Sequence, residues 1–260
     1  MFQGSMQRPN NHLFLLSNLV LKDFKIRYRN MSLGIFWSLV NPLFMMLVLT
    51  FVFTKILVNN SIPNYAVFVL CGLVPLNFFT IAWATGTTSV LENGNLIRRV
   101  RFPREIVPVA SVCSNCLHFL IQLGLLLAFV LGAGYGINRH WVWLPFVFGL
   151  EVVFVCGLAL ITSALDVYYR DLRYVVESSN LLMFWLVPVV YSFAVIPQEY
   201  WVIYQYNPIS AVVLACRDIL LNEKAPPTSL LVKLFAVSFL MLGVGTLVFG
   251  KLKRRFADYV

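Results

Sequence analysis

The chain has 260 residues, 60% of them hydrophobic and only 12% charged, with a formal net charge of +9. A soluble domain carries about 25% charged residues, and no long polar stretch exists here from which to build one, so the composition points to a multi-pass membrane protein. The positive charges fall in short segments between apolar runs, a pattern of membrane orientation and not of a nucleic-acid groove.

The N-terminal stretch is mixed polar and lacks the pattern of a secretory signal. Residues 12–32 predict an amphipathic helix. Leu13, Leu16, Val20, Phe24, Tyr28 and Met31 recur at spacings of three and four. Lys22, Lys25 and Arg29 fall on the opposite side, while Ile26 and Arg27 break the pattern. Too polar to span, this helix is expected in the membrane interface, with Lys22, Lys25, Arg27 and Arg29 toward lipid phosphates. The alternative is a solvated helix packed on the protein. Leu33-Gly34 supplies a hinge to the first predicted span, 35–58, which carries a kink signal at Asn41-Pro42. The second span, 65–90, contains Pro75 and Asn77.

Residues 92–105 follow, with Arg98, Arg99, Arg101 and Arg104 packed between apolar runs. An arginine at the bilayer centre costs about 3 kcal/mol on insertion scales, so these side chains must sit in water, and basic loops are held on the cytoplasmic side. Leu96, Ile97, Val100 and Phe102 interleave the charges, so a short helix here has an apolar side to lay on a soluble partner. Glu105 adds a further charged group for pairing. The third span is 106–131, and Gly132, Gly134, Gly136 and Asn138 form an outer turn. Trp141 and Trp143 mark an interface at the start of the fourth span, 141–165. Asp166 to Glu177 is charged again. The fifth span, 179–196, is barely long enough for about 30 Å of hydrocarbon. Residues 197–229 read as an outer re-entrant hairpin. Tyr200, Trp201, Ile203, Tyr204 and Tyr206 precede an Asn207-Pro208 break, and a second short helix follows with Ser210 as its N-cap. The alternative is a pair of helices floating on the interface. The sixth span is 230–250, and basic residues end the chain. This topology puts 15 of the 20 lysines and arginines inside, with both termini cytoplasmic.

Several motifs are declined. Gly245 to Leu252 nearly spells a phosphate-binding loop, but Leu252 replaces the hydroxyl residue that would hold magnesium. If ATP drives this protein, the ATPase is another chain. Cys113-x-x-Cys116-Leu117-His118 has one residue too many for haem attachment and reads as packing. The five cysteines read as small core residues. Glu151 is a lone acid inside a span, read as a polar contact or a substrate group. No catalytic triad, carboxylate pair or metal-ligand cluster is seen, so neither a metal nor an intramembrane active site is expected.

Taken together, Lys22 to Leu43 (KDFKIRYRNMSLGIFWSLVNPL), NLIRRVRFPREIVPVAS after the second span, DVYYRDLRYVVE after the fourth, YNPIS in the hairpin and KLKRRFADYV at the end resemble the ABC-2 type exporter permeases that carry cell-surface polysaccharides. The likeness runs along nearly the whole chain and is greatest to O-antigen and teichoic-acid exporters. It implies an all-α polytopic fold with six transmembrane helices, an N-terminal interfacial amphipathic helix and an outer re-entrant helical hairpin. It implies a homodimer in the plasma (inner) membrane, each copy paired with a separate ATPase subunit that binds ATP and Mg, with no cofactor in this chain. The implied substrate is a lipid-linked polysaccharide, and the chain itself is no enzyme. Under this resemblance Arg98, Arg99, Arg101, Arg104 and Glu105 couple to the ATPase. Lys22, Lys25, Arg27, Arg29, Leu33 and Gly34 meet the lipid headgroup. Tyr28, Phe36, Trp37, Trp201, Tyr204 and Tyr206 are channel candidates, since aromatic faces hold sugar rings by weak, slidable contacts. Two other classes stay open: an ABC-2 exporter of small lipids or drugs, and a membrane enzyme acting on lipid-linked sugars.

Overall fold

The computed structural model describes residues 12–28, 36–57, 62–100, 102–253 and 256. Among these residues the regular structure is helical throughout: α1 (His12–Tyr28), α2 (Trp37–Phe51, continued by a π-helical turn, Val52–Ile56), α3 (Tyr65–Glu92), α4 (Gly94–Arg99), α5 (Ile106–Gly132), α6 (Trp143–Asp166), α7 (Leu172–Leu186), α8 (Trp201–Tyr206), α9 (Pro208–Leu220) and α10 (Thr228–Leu252). Among the described residues, five segments are long and apolar enough to cross a membrane: Trp37–Ile56, Tyr65–Glu92, Ile106–Gly132, Arg139–Asp166 and Thr228–Leu252. Each helix satisfies its own backbone, the condition for a segment in lipid. This is a multi-pass membrane protein.

The core forms around α3, which touches α2, α5, α6, α7 and α9. Its sequence is apolar on every side, as a helix surrounded by others requires. Val69, Leu70, Cys71, Val74 and Ala82 are sealed off completely. Short polar links cross the bundle. The Thr87 and Thr162 hydroxyls meet at 2.7 Å between α3 and α6, and Asn115 Nδ2 of α5 donates to Thr85 Oγ1 at 2.9 Å. Such interhelical bonds average about 0.6 kcal/mol each in membrane bundles.

The most extensive helix pair is α6 with α10, and glycine makes it possible. A Cβ on Gly157 would stand 2.5 Å from the backbone of Met241 and Leu242, and one on Gly245 would collide with the Gly157 carbonyl. Small residues let two helix backbones approach where no water is present to drive apolar association. Gly245, the near-match to a phosphate loop, is therefore a packing residue. Cys113 and Cys116 are part of α5, where His118 stacks on Phe24 of α1 at 5.2 Å, so this motif too is packing.

The predicted fifth span differs from the structure. The helix runs over Leu172–Leu186, starting seven residues earlier and stopping ten short of 179–196. Its 15 residues rise only about 22 Å. The cause is Pro188, which disfavours helical backbone in the residue before it, and Val187 is extended at φ −94° and ψ 134°. Val187, Val189 and Val190 are nonetheless fully or almost fully buried. Irregular backbone at membrane depth is tolerated where protein surrounds it.

The second hairpin helix also begins earlier than predicted. Asn207, not Ser210, is the N-cap: its side-chain oxygen accepts from the Ile209 and Ser210 amides, with Pro208 as the first helical residue. An Asn-Pro pair suits this, because proline has no amide to leave unpaired. The α9 helix is buried along most of its length, so it belongs to the bundle and does not float on a surface.

Candidate functional site

Polar and aromatic side chains gather at both ends of α3. At its C-terminal end, Asn93 Nδ2 donates to Ser89 O at 2.9 Å and Asn93 Oδ1 accepts from Lys22 Nζ of α1 at 2.7 Å. The short helix α4 then turns Arg98 and Arg99 outward. Ile97 is buried in an apolar cluster with Val90, Val107, Leu160 and Phe249. The expected partner-facing apolar side is thus partly turned inward: Ile97 and Phe102 pack on the chain's own core, while Val100 stays exposed. Arg104 Nη1 donates to Lys253 O at 2.7 Å, and Glu105 pairs with the Lys253 ammonium. These two residues tie the α4–α5 loop to the end of α10. Arg101 lies outside the described residues.

A cleft of about 750 Å³ opens beside α4. Glu92, Asn95 and Arg98 form one wall, and Arg170, Asp171 and Tyr174 at the start of α7 form the other. Arg173 holds this second wall in place through an ion pair at 3.3 Å with Asp166, whose side chain is wholly buried. The Tyr168 hydroxyl donates to Leu252 O at 2.8 Å, so the same loop is fastened to α10. The sequence reading placed this loop on the same side as the arginines but did not pair the two segments. Its signal was the spacing of Arg170, Asp171, Arg173 and Glu177.

Around α1, Leu16, Val20 and Phe24 from the predicted apolar stripe are half-buried against the bundle, and Leu19 is the most buried. The outer side mixes Lys22 and Lys25 with exposed Phe14, Leu21 and Ile26. The side chains of Arg27 and Tyr28, and all of Arg29, Leu33 and Gly34, lie outside the described residues.

At the opposite end of α3, aromatic residues of α8 engage the segment that follows α7. Trp201 Nε1 donates to Ile196 O at 2.8 Å and its ring packs on Phe193 at 5.3 Å. The Tyr204 and Tyr191 hydroxyls meet at 3.1 Å. Trp201 and Tyr204, both channel candidates, are thus engaged with the segment between α7 and α8. Tyr206 is half-exposed beneath Lys233, whose ammonium lies 5.0 Å from the ring centre. Phe36 and Trp37, at the start of α2, are exposed. Glu151, read as a polar contact or substrate group, is sealed inside the bundle, and neither carboxylate oxygen has a hydrogen-bond partner among the described residues.

The residue that composition hid is Arg217 of α9, only 5% exposed. Its Nη2 donates to Val189 O at 2.8 Å and to Phe68 O at 3.3 Å, and the guanidinium carbon lies 3.5 Å from the Phe68 ring centre. The Tyr65 hydroxyl donates to Val190 O at 2.7 Å. The carbonyls freed where α7 unwinds are therefore capped from α9 and α3. Gly72 makes room for this segment, since a Cβ there would lie 3.1 Å from Val189 Cα.

With both ends described, the comparisons with known proteins place the chain. Residues 15–221 match the family described as ABC-2 type transporter. This chain belongs to the ABC-2 type transporter family. Among curated relatives it is 33% identical to an O-antigen export system permease protein RfbA of Klebsiella pneumoniae, over 94% of each chain. It is 31% identical to RfbA of Myxococcus xanthus over 95% of each. The polysialic acid transport protein KpsM of Escherichia coli is 21% identical, over 77% of this chain and 78% of the relative. In this ABC-2 transporter chain the matched range takes in α4, both walls of the cleft and Arg217, while α10 lies beyond it.

Proposed function

We propose that this chain is the permease subunit of an ATP-driven ABC exporter that moves a lipid-linked cell-surface polysaccharide, of O-antigen or teichoic-acid type, across the plasma (inner) membrane. The observation that carries this reading is similarity to an O-antigen export permease along 94% of both chains. ATP hydrolysis belongs to a separate subunit. Arg98, Arg99 and Arg101 meet that subunit, and the cleft between α4 and α7 receives one of its surface elements. Arg104 and Glu105, engaged with Lys253, pass the movement on to α10.

The short α7 and the buried segment after it together make a sixth crossing, so both termini are cytoplasmic. The α8–α9 hairpin is re-entrant and shapes the exit. Lys22, Lys25, Arg27 and Arg29 of the interfacial N-terminal helix receive the anionic lipid headgroup, with Leu33-Gly34 as hinge. The functional unit is a homodimer. Supporting that state, α2 and α7 expose Phe36, Trp37, Phe44, Tyr174, Leu181 and Trp185, faces suited to lipid, to a second copy and to a sugar chain between copies.

Affinity purification of the tagged chain from its own membranes tests the assignment. An ATP-binding subunit should co-purify with it, and Arg98→Glu/Arg99→Glu should lose that subunit while remaining inserted. Recovery of the wild-type chain without any ATPase, in a detergent that preserves its oligomer, would contradict the reading.

A further inference from the structure

A cavity of about 460 Å³ lies at the hairpin end of the bundle, within the range of small-ligand pockets. It is bordered by segments that are far apart in sequence: Tyr135 after α5, Ser192 after α7, Gln205 of α8, Arg217 and Asp218 of α9, and Asn222 beyond it. Arg217 is the unusual member. Its Nη2 hydrogens face the Val189 and Phe68 carbonyls, but its Nε and Nη1 donors are buried without an acceptor among the described residues. Among the described residues no carboxylate forms an ion pair with it. The neighbouring Asp218 is engaged elsewhere, its Oδ1 accepting from Asn222 Nδ2 at 3.0 Å. A buried cation is ordinarily paired, because removing it from water is costly. Arg217 is among the side chains that border the cavity.

We infer that the cavity is an oxyanion-binding site, with Arg217 as its cation, for a carboxylate or phosphate group. The Ser192 and Tyr135 hydroxyls and the Gln205 amide are placed to bond the remaining oxygens or the hydroxyls around them. Charge-assisted hydrogen bonds from guanidinium to an oxyanion are roughly twice as strong as neutral ones. The anionic group can come from an acidic sugar of the transported glycan or from a lipid headgroup. Its use in export rests on the function proposed above; the binding itself does not.

The purified chain in phosphatidylcholine nanodiscs, probed with glucuronate, glucose and inorganic phosphate by saturation-transfer NMR and calorimetry, tests the site. Glucuronate and phosphate should bind saturably and glucose at least tenfold more weakly. Arg217→Met should abolish binding. Because Arg217 also caps the unwound segment, Ser192→Ala and Tyr135→Phe serve as variants that leave those carbonyl bonds intact, and each should weaken glucuronate several-fold. Nanodiscs containing phosphatidylglycerol separate the sources: competition identifies a lipid headgroup, and its absence a glycan acid. Equal binding of glucose and glucuronate, no saturable binding, or binding unchanged in all three variants overturns the inference. The assay needs neither ATPase nor export, so loss of export with binding intact would count against the proposed function alone.

Discussion

Gly157 and Gly245 set the spacing of the largest helix pair by having no side chain. A Cβ on either would enter the other helix's backbone, and backbone cannot move aside as a flexible side chain can. Overpacking of this kind typically costs about 1–3 kcal/mol. Gly245→Leu is therefore expected to lower the thermal midpoint of the detergent-solubilised chain and to raise its aggregated fraction, whereas Gly243→Leu, with nothing within 4 Å of its Cβ position, should change neither. Scanning fluorimetry with size-exclusion chromatography makes the comparison. Arg217 acts in the opposite sense, by adding bonds that the backbone lost. Replacing it leaves the Val189 carbonyl buried without a donor, a penalty of about 1–3 kcal/mol. Both roles were hidden in the sequence for the same reason. Which helix lies opposite Gly245, and which carbonyls unwind near Arg217, are facts about residues distant along the chain. The sequence showed only that Gly245 was not a phosphate loop and that Arg217 sat within the hairpin.

At the scale of elements, α4 and the start of α7 form one polar recess from two separate loops. Charge reversal on the exposed pair, Arg98→Glu/Arg99→Glu, should leave membrane insertion and the thermal midpoint near wild type, because neither side chain is buried. In membranes that hold both subunits, ATP hydrolysis should lose its stimulation by substrate. Unchanged stimulation would mean that α4 is only a topological anchor. The spans were legible here because lipid demands about 20 apolar residues per helix, and four predicted spans coincide closely with α3, α5, α6 and α10. The first agrees over Trp37–Ile56. The fifth was misplaced because hydropathy measures apolarity and not helicity: Val187 to Val190 are apolar and buried, but Pro188 ends the helix before them. The arginines were legible as a group. Their individual directions were not, since Arg104 and Glu105 turn to Lys253 on the last helix.

For the whole molecule, the proposed function assigns the arginine-lined end to an energy source and the α8–α9 end to the exit of a polar polymer. Membership in the ABC-2 type transporter family sets the frame, and in the proposed function motion passes through α6, which packs on both α3 and α10. In the function proposed above, the exposed aromatic residues of α2 and α7 line the passage between two copies. This central claim is tested most directly in inside-out vesicles carrying the chain with its ATPase and a radiolabelled lipid-linked glycan. The measurement is the fraction of glycan that an added glycosidase can digest. The account predicts that ATP makes the glycan resistant, that vesicles lacking this chain show no change, and that Arg98→Glu/Arg99→Glu prevents the protection. Glycan that stays digestible with ATP and both subunits present, or that becomes protected when this chain is absent, would contradict it.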